Sequence, residues 1–193
     1  MAMTPEFLSA RFNLALPYDQ YVQSGTDEQQ RRWKQVYDAA ASAITPGARE
    51  TLAGFVRQMN VLIISGIWCG DCVQQCPLIH RLAELNAAQI RVRLIDRDEH
   101  KDLSQLFRIN DGDRVPVTIF LAEDFALCGA FGDRTLHRYR AIARRQLGAS
   151  CPTGLAAPDA DELAATMQDW MNEIERMQLM LRLSPRLRAR HVD

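Results

Sequence analysis

Apolar residues recur at helical spacing over most of the first 60 positions and then change to a strand pattern. Trp33, Val36, Tyr37, Ala40 and Ile44 share one face, and Thr26 with Gln29 supplies a capping box ahead of them. Thr45 and Pro46 open a second helix, with Pro46 at its first position and Leu52, Phe55, Val56 and Met59 as its stripe. Residues 1–60 therefore read as mostly helical, with no strand among them. Residues 61–65 are a short apolar run of strand length, and Val73, Leu78, Ile79, Leu82 and Leu85 then return to helical spacing. In residues 90–95, Ile90, Val92 and Leu94 alternate with Arg91 and Arg93, as in a strand at a sheet edge or with one wet face. A short helix is predicted over 101–108, a turn at Asp111-Gly112, a hairpin of strands 117–121 and 125–131, and a closing helix over 135–146.

Residues 148–158, rich in Gly, Pro, Ser and Ala, read as a linker. A last helix over 159–183 has acids at its start and a stripe of Leu163, Met167, Trp170, Ile174, Met177 and Leu181, and Ser184-Pro185 stops it. The predicted organisation is a helical extension over 1–60, an α/β domain over 61–147, and a linker with a C-terminal helix over 148–193. A chain of 193 residues buries one core with additions rather than two equal domains.

A formal charge of -1 and a pI near 6.4 give no global attraction for nucleic acid or an anionic membrane. No apolar run approaches the roughly 18 residues of a membrane span. The first residues lack the charged start and apolar stretch of a secretory signal, so a cytoplasmic location is expected. In that reducing compartment five cysteines do not read as a structural disulfide framework.

The feature that carries chemistry is Trp68-Cys69-Gly70-Asp71-Cys72, two thiols placed after the apolar strand and before the helix. At a helix N-terminus the unpaired N–H groups and the dipole favour an anion, which helps to make thiolate and so allows thiol–disulfide exchange. A C-x-x-C beside a βαβ pattern reads as a redox motif. No second C-x-x-C and no His pair stands at metal spacing, so no metal is expected. Cys69, Cys72, Cys76 and Pro77 also match the tail of an iron–sulfur run, but its first cysteine is missing. Cys76, one turn below Cys72, reads as a small buried hydrophobe, and Cys128 and Cys151 as structural. His80 reads as an ordinary helix residue, the Met167, Trp170 and Met177 stripe as core or docking contacts, and Arg182, Arg186, Arg188, Arg190 and His191 as a solvated end.

The sequence resembles the thioredoxin superfamily over about residues 55–147. The likeness rests on the Trp68–Cys72 motif at a strand-to-helix junction, Pro77 in the following helix, Val115-Pro116 before the next apolar strand, and Gly132 after the hairpin. It implies a central mixed sheet flanked by helices, carrying here the N-terminal helices and the long C-terminal helix as additions. It also implies that Cys69 attacks a substrate disulfide and Cys72 resolves the mixed disulfide. Pro116 is then the family's cis proline, Val115 pairs with an extended substrate peptide, and Trp68, Gly70 and Asp71 border the site. The implied partners are a disulfide-containing protein and an external thiol or reductase as electron donor, with no bound organic cofactor.

Two positions depart from the family pattern. Ile63 stands where thioredoxins carry a buried acid, leaving Asp71 or Asp96 as the acids near the resolving thiol. Asp71 replaces the usual proline between the cysteines. Its charge supports the helix start but opposes a thiolate at Cys69, which predicts a reductant or mild exchanger rather than a strong oxidase. The other reading of the same chain is a thioredoxin-fold binding or redox-sensing module whose terminal helices cover the groove.

Overall fold

The computed structural model describes residues 3–147 and 161–193. Its strands are β1 (Met59–Ser65), β2 (Ile90–Asp96), β3 (Val117–Ala122) and β4 (Leu127–Gly132). They form one mixed sheet in the order β2-β1-β3-β4, with β2 parallel and β3 antiparallel to β1, and β4 antiparallel to β3. Every residue of β1 and β3 is buried, which is why both read as near-continuous apolar runs. The edge strands β2 and β4 are only partly buried, in keeping with the Arg91 and Arg93 alternation.

Four helices precede the sheet: α1 (Pro5–Leu14), α2 (Tyr18–Gln23), α3 (Asp27–Ala43) and α4 (Pro46–Ala53). The capping box at Thr26 is formed on both sides, and Thr45 caps α4 ahead of Pro46. Helices α1 and α2 are additional to the two read from periodicity. Between them Leu16 exchanges two 2.8 Å backbone hydrogen bonds with Leu94, covering part of the β2 edge that would otherwise stand unpaired. Leu8, Phe12, Tyr21, Trp33 and Leu52 from this region lie in the same hydrophobic core as β1 and β3.

Helix α5 (Gly70–Glu84) follows β1 and carries the dithiol. Helix α6 (Lys101–Ser104) runs into one 3-10 turn at Gln105–Phe107, so the helix predicted over 101–108 is split. Helix α7 (Leu136–Leu147) closes the α/β unit, and α8 (Glu162–Leu183) packs against α3, α5, α7 and β4. Met167, Trp170, Ile174, Met177 and Leu181 are buried on α8. The predicted linker and Cys151 lie outside the described residues.

The chain does not end at Ser184-Pro185. Ser184 caps a further helix, α9 (Pro185–His191), whose Arg186, Arg190 and His191 pair with Glu123 and Asp124 in the β3–β4 turn. The basic tail is thus docked by ion pairs rather than free in solvent. No helix of the described residues is long and apolar enough to cross a membrane.

Candidate redox site

Strand β1 ends at the buried Ser65, and four residues later Cys69 stands as the N-cap of α5. No side chain caps this helix, so its first N–H groups remain for a ligand or an anion. Gly66 N–H donates to Cys72 Sγ at 3.5 Å, and Cys69 N–H donates to Gly66 O at 2.9 Å, which holds the loop tight against the helix start. Trp33, fully buried on α3, donates its indole N–H to Ile67 O at 3.0 Å. An N-terminal helix therefore helps to set the loop that carries Trp68 and Cys69.

Cys69 is half-buried, whereas Cys72 and Cys76 are fully buried. The Cys69 thiol reaches Val115 O at 3.6 Å, and the Val115–Pro116 peptide is cis. Cys69, Cys72, Val115 and Pro116 are thus brought together across separate elements. Trp68 is 50% exposed with the Arg97 guanidinium 4.8 Å from its ring centre, and Arg97 also donates to Asp113 O. Gly132 ends β4 with φ of +153°, and a Cβ there would lie 2.3 Å from Pro116 O. Only a residue without a side chain lets β4 come this close to the cis-proline segment.

The Cys69 thiol is pushed up, first by its pairing with the Cys72 thiol and next by burial, against the pull of the Cys72 and Asp71 N–H groups. Burial pushes Cys72 well above an ordinary thiol. A helix N-terminus alone would favour the Cys69 anion, but the Cys72 thiol beside it opposes that. The two sulfurs titrate as a pair. The first negative charge belongs on Cys69, because it is the more exposed and faces the N–H groups, whereas a charge on Cys72 would be wholly desolvated.

Asp71 behaves differently from a lone acid at the helix start. Its carboxylate lies between Arg134, at 2.6 Å, and Arg138, at 3.0 Å, and its side chain is 16% exposed. Its repulsion of a Cys69 anion is therefore offset by two guanidiniums, and it is not placed as a free proton carrier. Asp96 accepts hydrogen bonds from the N–H groups of Asp98 and Glu99 in its own turn. Gln75, fully buried on α5, joins the helix to the 133–135 segment by donating to Asp133 O at 2.8 Å and accepting from Thr135 N–H at 3.2 Å. Arg134, Arg138 and Trp33 carry no sequence signal of their role, since each meets the site from a distant part of the chain, and the partners of Gln75 are equally distant.

Behind the dithiol, Cys76 Sγ is 3.9 Å from Ser65 Oγ. The buried Tyr21 hydroxyl has no hydrogen-bond partner. In front, two grooves flank the start of α5. One of about 740 Å³ runs along Gly70, Asp71, Arg134, Arg138, Arg145 and Glu162. The other, of about 470 Å³, is bounded by α3 and Trp68. Gly70, Gln74 and Leu163 border both, so α3 and α8 wall the grooves at the start of α5. No group of three or more His, Cys, Asp or Glu among the described residues is arranged to hold a metal ion.

The family described as thioredoxin matches residues 15–143, which spans most of the chain and includes α2 to α4 as well as the sheet. The chain belongs to the thioredoxin family. As a member of it, the protein is similar in structure to a Pseudomonas aeruginosa protein of unknown function, with a TM-score of 0.69 and 21% identity over 91% of this chain and 99% of that one. It is also similar to an HIV epitope-scaffold, with a TM-score of 0.68 and 19% identity over 87% and 97% of the two chains. At these identities the likeness is one of fold, and it covers most of both chains. No curated protein matches the sequence.

Proposed function

We propose that this thioredoxin-family protein is a thiol–disulfide oxidoreductase that reduces or exchanges protein disulfides through Cys69 and Cys72. The observation that supports it best is the placement of Cys69: an N-cap thiol, partly open to solvent, with Cys72 one turn below it and the Val115 carbonyl 3.6 Å away. The Cys69 thiolate attacks one sulfur of the substrate disulfide, and the other sulfur leaves as thiolate and takes up a proton. Cys72 loses its proton and attacks Cys69 Sγ, releasing the second substrate thiol and leaving the Cys69–Cys72 disulfide. An external thiol or a reductase then returns two electrons and two protons. The chemistry needs no bound organic cofactor and suits a reducing compartment such as the cytoplasm. Pairing and burial disfavour both thiolates, so the reduced form lacks the thiolate stabilisation that makes a strong oxidase, which agrees with a reductant.

The test is dithiothreitol-driven reduction of a protein disulfide. Cys69→Ser should abolish turnover, and Cys72→Ser should trap mixed disulfides with the substrate. The alternative, a binding or redox-sensing module, is favoured by the grooves that α3 and α8 wall at the start of α5. It predicts partner binding that both substitutions leave unchanged, with no turnover.

A further inference from the structure

From the cis-proline segment to the start of α8, charged side chains alternate without a break beside the dithiol. Arg114 pairs with Asp133 at 3.1 Å, Asp133 lies 3.6 Å from Arg134, and Arg134 pairs with Asp71 at 2.6 Å. Asp71 pairs with Arg138 at 3.0 Å, Arg138 with Glu162, and Glu162 with Arg145 at 3.0 Å. Each carboxylate is held between two guanidiniums, and a guanidinium stands at both ends. The ladder thus carries one more positive than negative charge, in a chain whose formal charge is -1. Its end members are its most exposed arginines, Arg114 at 39% and Arg145 at 57% of the side chain.

We propose that the disulfide this site takes carries carboxylates beside its sulfurs, and that the arginine ladder receives them. The proposal rests on the redox reading of Cys69. The groove of about 740 Å³ is lined by Gly70, the residue after Cys69, and by Asp71, Arg134, Arg138 and Arg145, so it opens next to the residue that follows the attacking thiol. The volume lies in the range of small-ligand sites. Guanidiniums present paired N–H donors that match carboxylate geometry, and a cationic rim in a concave, partly desolvated groove raises the local concentration of anions. The carboxylates belong either to a small thiol compound or to an acidic stretch of polypeptide.

The experiment compares three small disulfides: dithiodipropionate with two carboxylates, hydroxyethyl disulfide without charge, and cystamine with two ammonium groups. Each rate is divided by that of the uncatalysed reaction with dithiothreitol. The expected kcat/KM order is anionic, neutral, cationic, with at least about tenfold between the extremes, shrinking toward unity as salt rises from about 0.05 to 0.5 M. Arg145→Glu, on an exposed side chain, should lower the anionic-to-cationic ratio several-fold. In parallel, calorimetry on the Cys69→Ser/Cys72→Ser double variant reads binding of dithiodipropionate and cystamine without turnover. Equal or no binding of the two, or a flat rate order, overturns the proposal even if protein disulfides are reduced. Charge-selective binding with no turnover of any disulfide upholds carboxylate recognition by the ladder but overturns the redox reading, and with it the assignment of the ligand as a substrate. A cystine peptide flanked by glutamates that outperforms dithiodipropionate assigns the carboxylates to polypeptide, and the reverse order assigns them to a small thiol compound.

Discussion

Replacing Gly132 by alanine should damage both the stability and the redox site of this protein. The new Cβ would stand 2.3 Å from Pro116 O, 3.1 Å from Val117 Cα and 3.3 Å from Pro116 C, all backbone atoms that no side-chain rotation can move aside. Overpacking of this kind costs about 1–3 kcal/mol. The φ of +153° adds about 1–3 kcal/mol for a residue with a side chain. Together they give a loss of about 4 kcal/mol, or about 8–16 °C in Tm for a chain of this size. Urea denaturation should show a lower midpoint with an unchanged slope, because the buried area is the same. The relief of the clash moves Pro116 and with it the Val115 carbonyl near Cys69 Sγ, so the alkylation rate of Cys69 should change as well. A variant that melts within about 2 °C of the parent, with the same alkylation rate, would refute the close approach of β4 to the cis-proline segment.

Three further outcomes follow from the same geometry. Asp71→Asn leaves Arg134 and Arg138 without their shared carboxylate, so the pH midpoint of Cys69 alkylation should fall by about half to one unit. Its stability should fall by about 2–4 kcal/mol in urea, and an unchanged alkylation profile would show that the ion pairs do not reach the thiol. Burial lowers the His80 pKa against the pull of Glu84, so the unfolded chain takes up a proton first and Tm should begin to fall as pH drops below 6.5. Asp133 and Glu123 are also depressed: burial raises both carboxyls, but Tyr139 and Arg114 outweigh it at Asp133, as His191 and Arg190 do at Glu123. Both contributions are complete above the unfolded values of 3.8 and 4.5 and are lost below them, giving a second fall in Tm that His80→Phe should leave in place while removing the first. Tyr21→Phe removes a buried hydroxyl that has no partner, so stability should stay the same or rise by about 1 kcal/mol; a clear loss would mean that the hydroxyl is hydrogen-bonded.

What could be read along the chain is what neighbouring residues decide among themselves. The capping box at Thr26, Pro46 at the first turn of α4, the apolar run of β1 and the alternation in β2 each depend on contacts within a few residues or on a simple period. The position of Cys69 at a strand-to-helix junction belongs to the same class, as does the spacing that puts Cys72 one turn below it. Helices α2 and α9 were less legible because each is short, and α1 because its apolar residues do not gather on one face. Helix α9 is held by the buried Leu187 and by ion pairs to the β3–β4 turn, which no periodicity records.

The electrostatic character of the site was decided only by the tertiary structure. Asp71 is separated from Arg134 by 63 positions and from Arg138 by 67, and in the sequence each is one more charged residue indistinguishable from a solvated one. Folding places them within hydrogen-bond distance, converts a lone acid into a member of a ladder, and changes what Asp71 does to its neighbouring thiol. Trp33 likewise reads as a core residue from its spacing, yet its N–H holds the loop before Cys69 from 34 positions away. Local sequence decided which atoms do the chemistry, because backbone geometry is set by neighbours. The charges, walls and burial around those atoms came from long-range packing, because a Coulomb interaction or a desolvation depends on distance in space and not on separation along the chain.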